Sequence, residues 1–127
     1  MRKKLIGILV AAAISIAFGL TCLILVSHVV GRMETLSMEA QGLVDQGKPD
    51  LATEKMVQLA GEWEKFRPFL EMLISHNEMH TVVDRYVEAG VSLRRNHLDD
   101  FYKSMALLQE SLRHIINQEQ VRWGNVL

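Results

Sequence analysis

From Leu5 to Gly31 the chain holds no Asp, Glu, Lys or Arg. A gap of that length excludes an ordinary water-facing surface over the segment. Cysteine is almost missing: Cys22 is the sole one. No intramolecular disulfide can form, and the redox compartment is not legible from cysteine. Proline occurs twice, at Pro49 and Pro68, so few positions bar a long helix. No run shows the alternation of a strand, no Gly-rich loop could cradle a phosphate, and no low-complexity stretch appears. An excess of positive charge is also lacking. With Arg2, Lys3 and Lys4 set apart, 11 basic residues face 15 acidic ones from Arg32 onward, a net of −4. That balance argues against a nucleic-acid partner. The length of 127 residues allows one domain.

What is present begins with the basic cluster Arg2, Lys3 and Lys4, then 22 uncharged residues from Leu5 to Val26. At about 1.5 Å of rise per residue a helix of that length crosses a hydrocarbon core of roughly 30 Å. Three basic residues before the span, against Arg32 closely followed by Glu34 after it, predict a cytoplasmic N-terminus. A cleaved signal peptide is the rival. Cleavage after Ala17 or Gly19 would leave the apolar "LTCLILVSHVV" as a new N-terminus. A lipoprotein signal at Cys22 would need polar residues after it, and they are absent. The expectation is an uncleaved anchor: residues 1–4 as a cytoplasmic basic tail, 5–30 as a transmembrane helix in contact with lipid, and 31–127 as an extracytoplasmic helical domain. Cys22 then reads as a small apolar residue of the span.

Beyond the span the pattern is helical. Val29, Met33, Leu36, Ala40 and Leu43 step alternately by four and three, the stripe of one helix face. Its phase runs back into the span, which predicts one helix continuing to about Gln46. Gly47 suits a C-terminal cap, and Pro49 with Asp50 suits the first turn of the next helix. A second stripe is Ala52, Met56, Leu59, Trp63, Phe66, Leu70 and Leu73. Pro68 lies inside it, predicting a kink or restart near Glu64 to Arg67. A third stripe is Met79, Val83, Tyr86, Gly90 and Leu93, closed by a turn at Asn96, with Asp99 able to cap the next start. A fourth is Phe101, Met105, Leu108, Leu112 and Ile115, ending near Gln118. The tail "EQVRWGNVL" follows and is expected to fold back on the bundle, with docking to a partner as the alternative.

"GKPDLATEKMVQLAGEW" aligns without gaps on "NHLDDFYKSMALLQESL" at an offset of 49 residues. Asp50 matches Asp99, Met56 matches Met105, and Leu59 matches Leu108. Two stacked helical hairpins would produce this. Two unrelated amphipathic helices would share three identities by chance, so both origins stand. The expected fold class is all-α: an N-terminal transmembrane helix continuing into a small antiparallel four-helix bundle made of two hairpins.

The candidate chemistry is concentrated in "SHNEMHTVVDRY", residues 75–86. His76, His80 and Asp84 fall four apart on one helix face and match the spacing of a metal site. Glu78 stands one place too late for the zinc-protease His-Glu-x-x-His pattern and points largely away from His76. The competing reading is a helix start. Ser75 caps backbone N–H groups, and Glu78 completes a capping box. Trp63, Phe66 and Phe69 suit a core better than a ligand platform. Met33, Met56 and Met105 are core fillers. Arg94 and Arg95 suit a solvated helix end, with phosphate or headgroup contact as the other reading. Glu110 and His114 read as an i, i+4 surface pair. No Ser-His-Asp pattern surrounds Ser75, Ser104 or Ser111. No catalytic residue and no cofactor is expected.

The order Gly47, Trp63, Glu64, Phe66, Phe69, His76, Glu78, the closing Leu-rich helix with "HI", and the terminal Asn125-Val126-Leu127 together resemble the domain of unknown function 4363 family. The N-terminal anchor is shared too. The resemblance implies a small membrane-anchored bacterial protein of unassigned function, and it carries over no catalytic residues. His80 departs from the family pattern, so a two-histidine site is not implied by it. The functional expectation is a non-enzymatic interaction or structural module with a protein partner, held in the cytoplasmic membrane by a single span, its C-terminal domain outside. The alternative is a ligand- or metal-responsive module acting on a membrane partner.

Overall fold

Two sharp reversals, one at Gly47 and one at Asn96, organise the chain. In the computed structural model, which describes residues 1–126, four helices follow one another: α1 (Arg2–Asp45), α2 (Pro49–Leu73), α3 (His76–Arg94) and α4 (Leu98–Val126). The α1–α2 and α3–α4 turns have the same construction. Gly47 takes φ +75° and Asn96 takes φ +58°, the left-handed conformation that glycine and asparagine tolerate best. After α1, the N–H of Lys48 donates to the Leu43 carbonyl at 2.8 Å and that of Gly47 to Val44 at 3.0 Å. After α3, His97 donates to Ser92 at 2.8 Å and Asn96 to Leu93 at 3.1 Å. Both are Schellman caps, satisfying carbonyls that a helix end leaves free. The positions lie 49 apart, the offset of the sequence repeat.

These turns make two antiparallel hairpins, and the hairpins stack. α1 packs on α2 and α4, and α3 packs on α4 and α2. The core is one apolar cluster running the length of the bundle. Ala52, Met56, Leu59 and Trp63 of α2 and their repeat equivalents Phe101, Met105, Leu108 and Leu112 of α4 are all buried. Each large aliphatic or aromatic side chain so removed from water stabilises the fold by about 1.5–3 kcal/mol. Polar ties fix the helix registers. Lys55 pairs with Glu39 at 3.0 Å between α2 and α1. Gln109 of α4 donates to Ser37 Oγ and Gln41 Oε1 of α1, both at 3.2 Å. The Tyr102 hydroxyl donates to Asp45 across the distal end of the same pair.

α1 runs unbroken for 44 residues and joins the apolar segment to the bundle. It is long and apolar enough to cross a membrane by length and composition. Its side chains are exposed from the start to Phe18, and burial begins at Gly19 and Cys22.

The structure departs from the sequence reading in four places. Of the kink or restart expected near Glu64 to Arg67, the restart does not occur: α2 continues through Pro68 to Leu73. Pro68 lies on the exposed face, so the carbonyl that loses its N–H partner is on the solvent side of the helix, while Trp63 and Leu70 stay buried on either side of it. The buried face of α3 is Met79, Val82, Tyr86, Ala89 and Leu93, so Val82 and Ala89 replace Val83 and Gly90. Phe69 is exposed and Phe66 half-buried, so only Trp63 of the three aromatics is core. α4 does not stop near Gln118: the tail is helical to Val126. The side chain of Val126 and the whole of Leu127 lie outside the described residues. The stripe of α4 continues from Leu112 and Ile115 through Glu119 to Trp123. A charged residue at a core position hid that continuation.

Candidate functional site

Three polar assemblies stand out from the apolar frame. The first is the start of α3. Ser75 is extended (φ −61°, ψ 148°), and its Oγ accepts from the Glu78 N–H at 3.3 Å. The N-cap is therefore formed. Among the described residues the reciprocal half of the capping box is not formed, and the Glu78 carboxylate instead meets His114. One turn on, the His76 and His80 rings meet edge to face with centroids 4.3 Å apart. Their Nε2 atoms are 3.0 Å apart, so one ring donates to the other. Asp84 shares their exposed face of α3. Among the described residues no group of three or more His, Cys, Asp or Glu side chains is placed to hold a metal ion. The structure thus joins two of the three spaced residues and leaves Asp84 apart from the pair.

The second assembly bridges α3 and α4. Glu78 Oε1 meets His114 Nδ1 at 2.9 Å. His114 therefore pairs across the hairpin, not with Glu110 along its own helix. The two residues are 36 apart in sequence, and only the turn at Asn96 brings them together. Beside them an open groove of about 600 Å³ runs between the helices, with Arg85, Glu110 and Arg113 on its walls. Its charges are mixed, so it favours no ligand of one sign. At its rim Arg85 is held by Glu88 at 3.2 Å.

The third assembly lies at the end of the bundle nearest the apolar segment. Glu119 is 4% exposed. Its Oε2 accepts from Trp123 Nε1 at 3.0 Å and its Oε1 from Arg122 Nη1 at 3.3 Å. A carboxylate in such a place is tolerated because both oxygens are engaged. Arg122 Nη1 also donates to the Leu73 carbonyl at 2.8 Å, closing the C-terminus of α2. The Trp123 ring lies flush on the backbone of Gly19. A Cβ at Gly19 would stand 2.6 Å from ring atom Cε3 and 2.7 Å from Cζ3. Glycine is required there by close approach and not by φ. The sequence reading expected the tail that carries Trp123 to fold back on the bundle, and Trp123 does lie on Gly19, but the roles of Glu119 and Arg122 went unread. The signal was a Glu, an Arg and a Trp within five residues, in phase with the stripe of α4.

A smaller network joins α2 and α3. The Tyr86 hydroxyl donates to Glu64 Oε1 at 3.4 Å. Burial first, then the charge of Glu64 and this hydrogen bond, push the Tyr86 phenol up to about 12, with Arg67 opposing in part. The Arg67 guanidinium is held more firmly protonated by its bonds to Glu71 and Glu64. These groups brace neighbouring helices.

The family model described as Domain of unknown function (DUF4363) matches residues 24–126. No curated protein and no solved structure matches the chain.

Proposed function

Starting from a chain that belongs to the DUF4363 family, we propose a single-pass membrane protein that presents a non-enzymatic helical module to a protein partner. Its N-terminus lies in the cytoplasm and its bundle outside the cytoplasmic membrane. The observation that carries this reading is the exposed surface of α1. Leu5, Ile6, Ile8, Leu9, Val10, Ile14 and Phe18 all project from the fold without protein cover. So large a contiguous apolar surface calls for lipid or another chain. Arg2, Lys3 and Lys4 ahead of the span support a cytoplasmic N-terminus. The polar side chains of the bundle support the module role. Glu78 with His114, Glu119 with Arg122 and Trp123, and Gln109 with Ser37 and Gln41 tie helix to helix. Their hydrogen-bonding capacity goes into holding one shape, which suits a rigid surface for another protein or a spacer above the lipid.

The test is crosslinking in native membranes followed by purification of the full chain. A discrete protein partner is the expected result. Release of the chain by alkaline carbonate would refute the anchor. A C-terminal tag accessible from the cytoplasm would refute the orientation.

A second reading is favoured by one observation, the 3.0 Å separation of the His76 and His80 Nε2 atoms. Two imidazoles so placed can share one ion, which would make the module metal-responsive. Melting of the full chain separates the readings: a saturable metal-dependent rise belongs only to the second.

A further inference from the structure

The apolar part of α1 that stands clear of the bundle runs only from Leu5 to Phe18. Those 14 residues rise about 21 Å, against a hydrocarbon core of roughly 30 Å. The shortfall is about 9 Å, or about six further residues of α1, and any tilt enlarges it. Those residues start at Gly19, where the bundle is already in contact. Trp123 covers Gly19, and the adjacent Arg122 bonds the Leu73 carbonyl. The last turns of α2 and α4 therefore sit level with the part of α1 that must complete the span.

Those turns carry outward-facing apolar side chains among the exposed Glu71, Gln120 and Arg122. Phe69 is 51%, Met72 77% and Val121 63% exposed. We propose that this end of the bundle is seated in the headgroup and upper acyl zone of the bilayer that α1 crosses, with lipid covering Phe69, Met72, Val121 and the open edge of Trp123. The inference rests on reading α1 as a membrane anchor. The occupant is lipid because the patch surrounds a helix that itself enters lipid, at a depth fixed by that helix's length.

The polar bookkeeping of the same end fits immersion. Backbone groups that leave water need partners, and the Leu73 carbonyl has Arg122. Glu119 spends both oxygens inside the protein. Glu71, beside Met72, takes Arg67 with it at 2.9 Å. Trp and Arg place an apolar body in the acyl boundary and a polar tip among headgroups.

The chain's two tryptophans supply the test. Full-length protein is reconstituted in vesicles whose acyl chains carry bromine either near the headgroup or near the bilayer centre. In Trp63→Phe, the remaining Trp123 loses emission with shallow bromine and much less with deep bromine. In Trp123→Phe, the remaining Trp63 is unaffected, being fully buried and ten residues back along α2 from Leu73, about 15 Å away. A second measurement avoids the core. In a Cys22→Ala background, an environment-sensitive dye on Met72→Cys shifts to shorter wavelength on reconstitution. The same dye on Val57→Cys, exposed and further from the membrane on the same helix, does not. Unquenched Trp123 and an unshifted Met72 dye in carbonate-resistant protein would overturn the seating and leave the anchor standing. Carbonate extraction of the protein would overturn both.

Discussion

Gly19→Ala tests the contact between α1 and the end of α4. The new Cβ would lie 2.6 Å and 2.7 Å from two ring atoms of Trp123. Ordinary carbon contacts are about 3.5–4.0 Å, so the ring must retreat by about 1 Å. Nε1 now donates to Glu119 at 3.0 Å, and that retreat takes the pair to about 4 Å, beyond a hydrogen bond. A bond to a charged group is worth about 1.5–3 kcal/mol net. The lower end applies, because Glu119 keeps Arg122. Undocking a half-buried indole exposes about 100 Å² more, at most ~2.5 kcal/mol. Alanine returns about 1 kcal/mol of helix propensity. The net expected loss is about 1–3 kcal/mol, read by denaturant unfolding of the full chain in micelles. A double-mutant cycle isolates the cause. In a Trp123→Ala background the same substitution should be neutral or stabilise by up to ~1 kcal/mol. Equal destabilisation in both backgrounds would refute the steric argument.

Four further outcomes follow from the structure. Leu108→Ala, at a position fully shielded from solvent, should destabilise by about 2–5 kcal/mol, and a loss under 1 kcal/mol would mean that the core readily refills there. Ser75→Ala removes the acceptor of the Glu78 N–H and should cost about 1 kcal/mol, with faster amide exchange in the first turn of α3 as its signature. Tyr86, ordinarily near 10 and raised to about 12, is favoured neutral in the fold. The stability it contributes is whole below pH 10 and is lost as pH rises through about 12. Ultraviolet titration should show both phenols late, Tyr102 because its hydroxyl donates to Asp45, and in Glu64→Gln the Tyr86 transition alone should move earlier while staying above the ordinary value; a Tyr86 transition at the ordinary value in the parent chain would refute the assignment. Zinc should leave the melting temperature unchanged, since among the described residues His76 and His80 have no third placed ligand; a saturable rise abolished in His80→Ala would establish a metal there.

Much of the fold was legible because its signals are local. The stripe of α4 from Phe101 to Ile115 is buried as its spacing predicts. Gly47 and Asn96 announce turns that differ only in the residue adopting positive φ. The errors have physical causes. Val82 and Val83 are both apolar neighbours, and the rotation of α3 is set by what α2 and α4 present to it. Pro68 reads as a break only while its face is unknown. Glu119 reads as the end of a core stripe until its partners are in place. The candidate site was half legible. Intrahelical spacing brought His76 to His80, whereas the pairing of Glu78 with His114 needs the hairpin to close.

Composition and periodicity alone determined the helical class, the uncharged span from Leu5 to Val26 and the phase joining it to the bundle. Each depends on residues within a few turns of one another. The tertiary structure decided where α1 ceases to be free. Gly19 and Cys22 belong by composition to the apolar segment, yet the bundle covers them. Trp123 comes from the other end of the chain to lie on Gly19, and Arg122 closes a helix that ends 49 residues earlier. Hydropathy records what a segment tolerates, whereas packing records what reaches it, and here the same α1 residues suit both lipid and protein.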